Sequence, residues 1–406
     1  MNNKKVELLS PAGNLEKLKI AIKYGADAVY AGVSHFSLRI RAGKEFTFET
    51  FKEGIDYAHA RGKKVYATIN GFPFNSQIEL LKKHIATMAA LEPDGFIVAA
   101  PGVVKLCREI APQIDIHLST QANVLNYLDA QVFWDMGVKR IVVAREISLK
   151  DVIEIKKHLP DMEIEIFVHG SMCFAYSGRC LVSAVQMGRV PNRGSCANDC
   201  RFEYTLYAAN EDHSTLFRLE EEPGVGTYIF NSKDMNLASH IKEILDSGAV
   251  DSLKIEGRTK SPYYAAVTAK AYRNAIDDYY DGKFEASKYQ RELYTTKNRG
   301  FTDAYLIHRP FEKTDSQNHD YALSKGSYEV TGLVTQDEEH FLCKYKVYPN
   351  EDIEIFTPMG EELVECENEI GKIFKKDGIY YINFKKILTE TNKELESVHS
   401  GNVNKI

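Results

Sequence analysis

Short runs of β-branched and aliphatic residues alternate along the chain with longer stretches whose apolar positions recur every three to four residues. Residues 6–10 are apolar and stop at Pro11-Ala12-Gly13-Asn14, a turn able to start a helix, after which Leu15, Leu18 and Ile22 fall at helical spacing. Further strand-like runs follow at 28–33, 64–70, 95–100, 115–120, 140–145, 163–169 and 253–257. Helix-length segments separate them, among them 48–61 and, after the last run, 262–280. Eight strand–helix units predict an α/β fold, a (β/α)8 TIM-like barrel. An open doubly wound sheet shows the same alternation, but Pro11-Ala12-Gly13-Asn14 is not a glycine-rich dinucleotide turn.

Two departures from this rhythm define the domain plan. After the seventh strand an insertion of about 173–234 delays the next helix, expected at 236–245. It is rich in Gly, Arg and Cys at first and strand-like at 202–208 and 228–231. A long excursion at the C-terminal end of a barrel strand is where function usually sits. Beyond residue 311 the barrel pattern ceases. Residues 312–325 read as a polar, turn-rich linker, and 326–406 as a small all-β barrel or sandwich with strands at 328–334, 341–347, 352–356, 361–367 and 380–384. The barrel domain is thus 1–311.

Composition narrows the class. Hydrophobic residues make up 44% and charged residues 27%, a globular profile. A net charge of −6 excludes bulk attraction to nucleic acid but leaves room for a local basic face. No segment approaches the roughly 20 apolar residues of a membrane span, and residues 1–10 carry no secretory h-region. The expected setting is cytoplasmic, without a membrane partner.

Four of the seven cysteines, Cys173, Cys180, Cys196 and Cys200, follow the spacing C-x6-C-x15-C-x3-C. In a reducing compartment this reads as metal binding rather than disulfide pairing. Four thiolates suit either a [4Fe–4S] cluster or a structural zinc, and spacing does not separate the two. Arg179, Arg189, Arg193 and Arg201 crowd the same segment and would favour thiolates.

Strand ends supply the other candidates: His117, Ser119 and Gln121 after strand five, Arg145 and Glu146 after six, His169 after seven, Glu256 and Arg258 after eight. Glu256 and Arg258 lie two apart and so point the same way. Arg258 can hold a carboxylate bidentately with Glu256 as proton acceptor, or the two can close the barrel mouth as an ion pair. His117 and His169 are catalysts or packed rings. Arg39, with Arg41 and Lys44, can track phosphates or form a solvated loop.

The stretch Glu165-x-Phe167-x2-Gly170-Ser-Met-Cys173-x4-Gly178-x-Cys180-x-Val182-Ser183 resembles peptidase family U32, the collagenase-like family. So do Leu8-Leu-Ser-Pro-Ala-Gly13, Asn231-Ser-Lys-Asp234, Lys254-Ile-Glu-Gly-Arg258 and Asn298-Arg-Gly-Phe301, and the likeness spans nearly the whole chain. The cysteine segment is most similar to the branch implicated in tRNA uridine 5-hydroxylation. That resemblance implies a [4Fe–4S] cluster on Cys173, Cys180, Cys196 and Cys200, prephenate as a small carboxylate co-substrate, tRNA as substrate, and a paralogous family subunit as a further partner. In some relatives the fourth ligand lies near the Asn-Ser-Lys-Asp motif. Here that neighbourhood is Asp234-Met235-Asn236, so Cys200 takes the place. The function expected is hydroxylation of a wobble uridine. Arg145, Arg258, Glu256 and His169 are the catalytic candidates, and His117, Gln121, Arg39, Arg179 and Arg201 the substrate-binding ones. A peptidase and a cluster-bearing RNA-binding scaffold are the alternatives. The sequence has neither a His-Glu-x-x-His zinc motif nor a Gly-x-Ser-x-Gly elbow.

Overall fold

The structure, a computed structural model, describes residues 5–33, 36–37, 46–173, 175–193, 195–202, 204, 207–209, 216–218, 231–307, 316, 318 and 326, together with the strands of 329–400. The elements begin with β1 (Glu7–Pro11), α1 (Leu15–Lys23), β2 (Ala28–Ala31), α2 (Phe48–His59), β3 (Lys64–Ile69), α3 (Ile78–Ala89), β4 (Gly95–Val98) and α4 (Pro101–Ile110). They continue with β5 (Asp115–Leu118), α5 (Tyr127–Asp135), β6 (Arg140–Val142), α6 (Leu149–His158), β7 (Glu163–Ser171) and α7 (Val182–Met187). Next come β8 (Tyr207–Ala209), β9 (Leu216–Arg218), β10 (Asp234–Asn236), α8 (Ile241–Asp246), β11 (Ser252–Ile255), α9 (Pro262–Tyr280), α10 (Ala286–Tyr294) and β12 (Phe301–Thr302).

Strands β1 to β7 and β11 pair in parallel in the order β11-β1-β2-β3-β4-β5-β6-β7, and β7 closes the ring onto β11. This is the barrel expected from the alternation. Local chemistry sets the helix starts. Asn14 accepts the Lys17 amide at 2.9 Å ahead of α1, Thr47 and Thr50 form a capping box on α2, and Ser261 with Pro262 opens α9. The core inside the ring includes Leu9, Ala28, Tyr30, Tyr66 and Ile97.

The bottom of the barrel is plugged by charge. Arg140 donates to Glu7 at 2.6 Å, to Glu163 at 2.7 Å and to Glu165 at 3.1 Å, and Lys254 donates to the other Glu165 oxygen at 2.6 Å. Tyr66 completes the set with a 2.7 Å bond to Glu7. Burial pushes the Glu165 carboxyl up, yet Lys254 and Arg140 against it hold it below the usual range. Glu165, the first residue of the motif that resembles U32, therefore has a structural role.

The insertion departs from expectation in its secondary structure. Among the described residues of 202–208, Phe202 and Tyr204 belong to no strand. Asp199–Arg201 forms a helical turn, Tyr204 donates back to the Asp199 carbonyl at 2.7 Å, and Tyr207–Ala209 pairs, antiparallel, with β9. Of 228–231, all but Asn231 lies outside the described residues. The strand expected to end at His169 runs on to Ser171, where β10 adds antiparallel to it. Helix α8 consequently starts later than 236. Asp234 forms a buried ion pair with Arg299, whose Nε donates to the Ser232 carbonyl at 3.0 Å, so two of the family-like segments lock together.

The chain divides into two compact units, Met1–Gln290 with Asn298–Ser324, and Arg291–Lys297 with Lys325–Ile406. The second unit holds an antiparallel sheet of β13 (Glu329–Val334), β14 (His340–Cys343), β15 (Asp352–Thr357), β16 (Gly360–Glu365), β17 (Phe374–Lys376), β18 (Ile379–Asn383) and β19 (Ser397–Ser400). Its order is β16-β15-β19-β13-β14-β18-β17. Among the described residues no helix is long and apolar enough to cross a membrane.

Candidate active site

Positions two apart on β11 and in the turn after it climb from the floor of the barrel to its mouth. Ser252 bonds Glu7 at the bottom at 3.2 Å, Lys254 bonds Glu165 one layer up, and Glu256 and Arg258 reach the rim. Gly170, at φ +113, lets β7 pass close beside them, because any Cβ there would collide with the Glu256 backbone. The Tyr264 hydroxyl donates to the Glu256 carbonyl at 2.7 Å and fixes the turn.

Above this column lies a cavity of about 390 Å³ at the C-terminal mouth. Its barrel wall carries Gln121, Arg145, Phe167, Lys254, Glu256 and Arg258. The Arg258 guanidinium donates to Ser37 at 2.8 Å and Thr68 at 3.1 Å, which turns it across the mouth. Arg145 stacks on the Phe167 ring at 4.3 Å, and the Lys254 ammonium lies 4.6 Å from the Tyr30 ring centroid. Burial lowers the Lys254 pKa and Glu165 offsets part of that. Ser119 donates to the Gln121 side-chain oxygen at 3.1 Å, leaving the amide nitrogen as the donor.

The opposite wall comes from the insertion, and all four clustered cysteines line it. The 173–180 loop is pinned to the rim at two points. Ser177, in the left-handed region at φ 43 and ψ 34, donates its N–H and its hydroxyl to the two Glu146 oxygens, each at 2.7 Å. Arg179, though exposed, donates Nε to the Gln121 carbonyl at 3.0 Å.

Burial raises the Cys173 thiol pKa, opposed by Arg145 and raised further by Cys180 and Cys196. Cys200 is raised by burial as well, opposed by Arg201 and raised further by the other three thiols.

The donor set fits an iron–sulfur cluster. Its members are all thiols, and the Val182 amide donates to the Cys180 sulfur at 3.4 Å. The Arg189 Nε is buried on the cavity wall without an acceptor, which a cluster sulfur would supply. As the side chains stand, no three of the described His, Cys, Asp or Glu residues gather closely enough to hold a single ion.

Several residues expected in the site stand elsewhere. His169 is buried with its ring among Tyr264, Tyr272 and Phe301, at centroid distances of 5.8, 5.6 and 5.5 Å, and burial pushes its pKa down to about 3. His117 packs its ring 4.4 Å from that of Tyr66, and burial together with Arg140 and Lys254 keeps it neutral. Neither histidine lines the cavity. Arg201 flanks Cys200 outside the lining, and Arg39, Arg41 and Lys44 lie outside the described residues. Lys254, Phe167 and Asp199 line the cavity although none of them was a site candidate from the sequence.

The sequence profile of Peptidase family U32 matches residues 13–316. The chain is 66% identical over 399 residues to "tRNA hydroxylation protein P" of Helicobacter pylori, covering 98% of this chain and 94% of that one. It is 39% identical to the protein of the same name in Escherichia coli, covering 91% and 90%. It is 29% identical to "Collagenase" of Porphyromonas gingivalis, covering 93% and 87%.

Proposed function

The chain belongs to peptidase family U32, and from that premise we propose that it is a tRNA-modifying enzyme that hydroxylates carbon 5 of a wobble uridine. The observation that carries this reading is the wall of four cysteines facing Arg145, Arg258 and Gln121 across one cavity at the barrel mouth. The full-length likeness to proteins named for tRNA hydroxylation supports the substrate class. A peptidase is less well supported. Among the described residues no histidine lines the cavity to activate a serine or cysteine.

In this reading Cys173, Cys180, Cys196 and Cys200 hold a [4Fe–4S] cluster, which supplies the one-electron chemistry that side chains cannot. Four thiols spread along a cavity wall suit a polynuclear group better than one zinc, whose sulfur ligands must meet at about 2.3 Å from a single point. Arg258 and Arg145 grip the carboxylates of a small acid, prephenate being the one the resemblance implies. The Gln121 amide donates to a carbonyl of the base turned out of its stack. Glu256 accepts a proton at the rim, and Lys254 places a buried positive charge beneath the reacting ring.

The test is nucleoside analysis of tRNA from a deletion strain. Loss of 5-hydroxyuridine and its derivatives, restored by the parent gene but not by Cys173→Ala, is expected. Unchanged tRNA in a strain without a paralogue would refute the assignment. Anaerobically purified protein should contain iron and sulfide, and stoichiometric zinc instead would remove the cluster.

A further inference from the structure

Exposed apolar side chains concentrate on the insertion. Tyr176, Leu181, Val185, Met187, Val190 and Phe202 all lie within 27 residues, with Leu181 70% and Val185 82% exposed. Over 173–202 the chain carries four arginines against a single acid, Asp199, which is buried; Glu203 follows, and the protein as a whole is at −6. Much of this surface is one body. Tyr204 bonds both the Gln186 side chain, at 3.0 Å, and the Asp199 carbonyl. The Ser183 hydroxyl accepts the Ala197 amide at 3.1 Å. Leu181, which caps α7, and Val185 on it fall one turn apart and are exposed, while Ser183 is buried.

We propose that α7 and the turn 199–202 form a landing surface for single-stranded RNA, an inference that rests on the tRNA reading above. Apolar surface alone would suit protein or lipid, but a segment in which arginines outnumber acids favours a polyanion. Arg201 beside the exposed Phe202 is a pair that holds a phosphate and stacks its base. A duplex hides its base faces and cannot use the apolar part. An acyl chain has no use for the polar wall next door, where Gln121 and Asn192 line the cavity.

The experiment uses full-length, anaerobically purified protein. Its binding to a short RNA hairpin with a single-stranded loop is compared with binding to a blunt RNA duplex and to phosphatidylglycerol vesicles. The hairpin should be preferred. Phe202→Ala, and Leu181→Ser combined with Val185→Ser, should each weaken hairpin binding roughly tenfold without changing its salt dependence. Arg201→Gln should lower the slope of log affinity against log salt by about one. Should a variant misfold, a photocrosslink from a thiouridine loop to the parent protein still has to fall within 176–202. Parental affinity in both apolar variants, equal duplex binding, a crosslink elsewhere, or preferential vesicle capture would each overturn the proposal. Patch-dependent hairpin binding with an unchanged tRNA nucleoside profile would refute the hydroxylation reading and spare the surface. The reverse pattern would refute the surface alone.

Discussion

Glu146 holds the 173–180 loop by one carboxylate, and its removal should release the loop without unfolding the barrel. In the parent, both oxygens accept from Ser177 at 2.7 Å, and Ser177 occupies the left-handed region at φ 43. A hydrogen bond to a charged group contributes roughly 1.5–3 kcal/mol. Because Glu146 is only half-buried, we take the lower end, discounted by solvent screening, at about 1–1.5 kcal/mol each. The left-handed backbone of a serine costs about 1 kcal/mol and persists only while those bonds compensate it. Glu146→Ala should thus weaken the closed loop by about 2–3 kcal/mol, a factor of roughly 30 to 150 at 1.4 kcal/mol per tenfold. Hydrogen exchange at the Ser177 amide in metal-free protein reads this directly, since its protection measures local opening. Ser177→Gly in the Glu146→Ala background should return about 1 kcal/mol, roughly fivefold, by removing the strained conformation. With the proposed cluster on these cysteines, Glu146→Ala should hold less iron per chain than the parent after anaerobic reconstitution. Unchanged Ser177 protection in Glu146→Ala, or a loss spread evenly over the barrel strands, would show that the clamp does not exist as drawn.

Other perturbations test other parts of the molecule. Arg140→Met takes the shared cation from three buried or half-buried carboxylates, of which Glu165 keeps Lys254, and should cost about 3–5 kcal/mol, read as a lower urea midpoint. His169 has its pKa pushed down to about 3 against an unfolded value near 6.5, so between these values the unfolded chain binds the extra proton. Its contribution is therefore complete above pH 6.5 and falls by about 1.4 kcal/mol per unit as the pH drops toward 3. His169→Gln should flatten the dependence of urea stability on pH by close to one proton, and an unaltered slope would contradict a neutral, buried ring. Gly170→Ala should cost about 1–3 kcal/mol and displace Glu256, lowering hydroxylation more than it lowers the melting temperature.

The barrel was legible because each strand is a short apolar run between turn signals, and the cysteine wall because its spacing is compact. Lys254 was not. A lysine on a strand reads as a solvent position, and the Glu165 that neutralises it lies 89 residues away in the chain. His169 misled for a related reason. The alternation ends there, but the strand continues through Gly170 and Ser171 by pairing with β10, a partner more than sixty residues on. The ring thus sits inside packed aromatics instead of at a rim. In the insertion, the strand expected from residue 202 is preceded by a helical turn at Asp199–Arg201 that the Tyr204 hydroxyl closes, and no periodicity encodes such a contact. Glu256 and Arg258 were readable because they stand just past the last barrel strand, where the chain meets the mouth.

The antiparallel pairing of Asp234, Met235 and Asn236 with Ser171, Gly170 and His169 brings the two ends of the insertion side by side. Their separation is set by that short ladder and not by whatever chain lies between them. A segment with fixed feet can lengthen, shorten or be exchanged at only the slowly growing cost of closing a larger ring, while the eight staves beneath keep their register. The barrel is in this sense a socket, and a graft joined at 171 and 234 should seat in it with its chemistry already facing the opening.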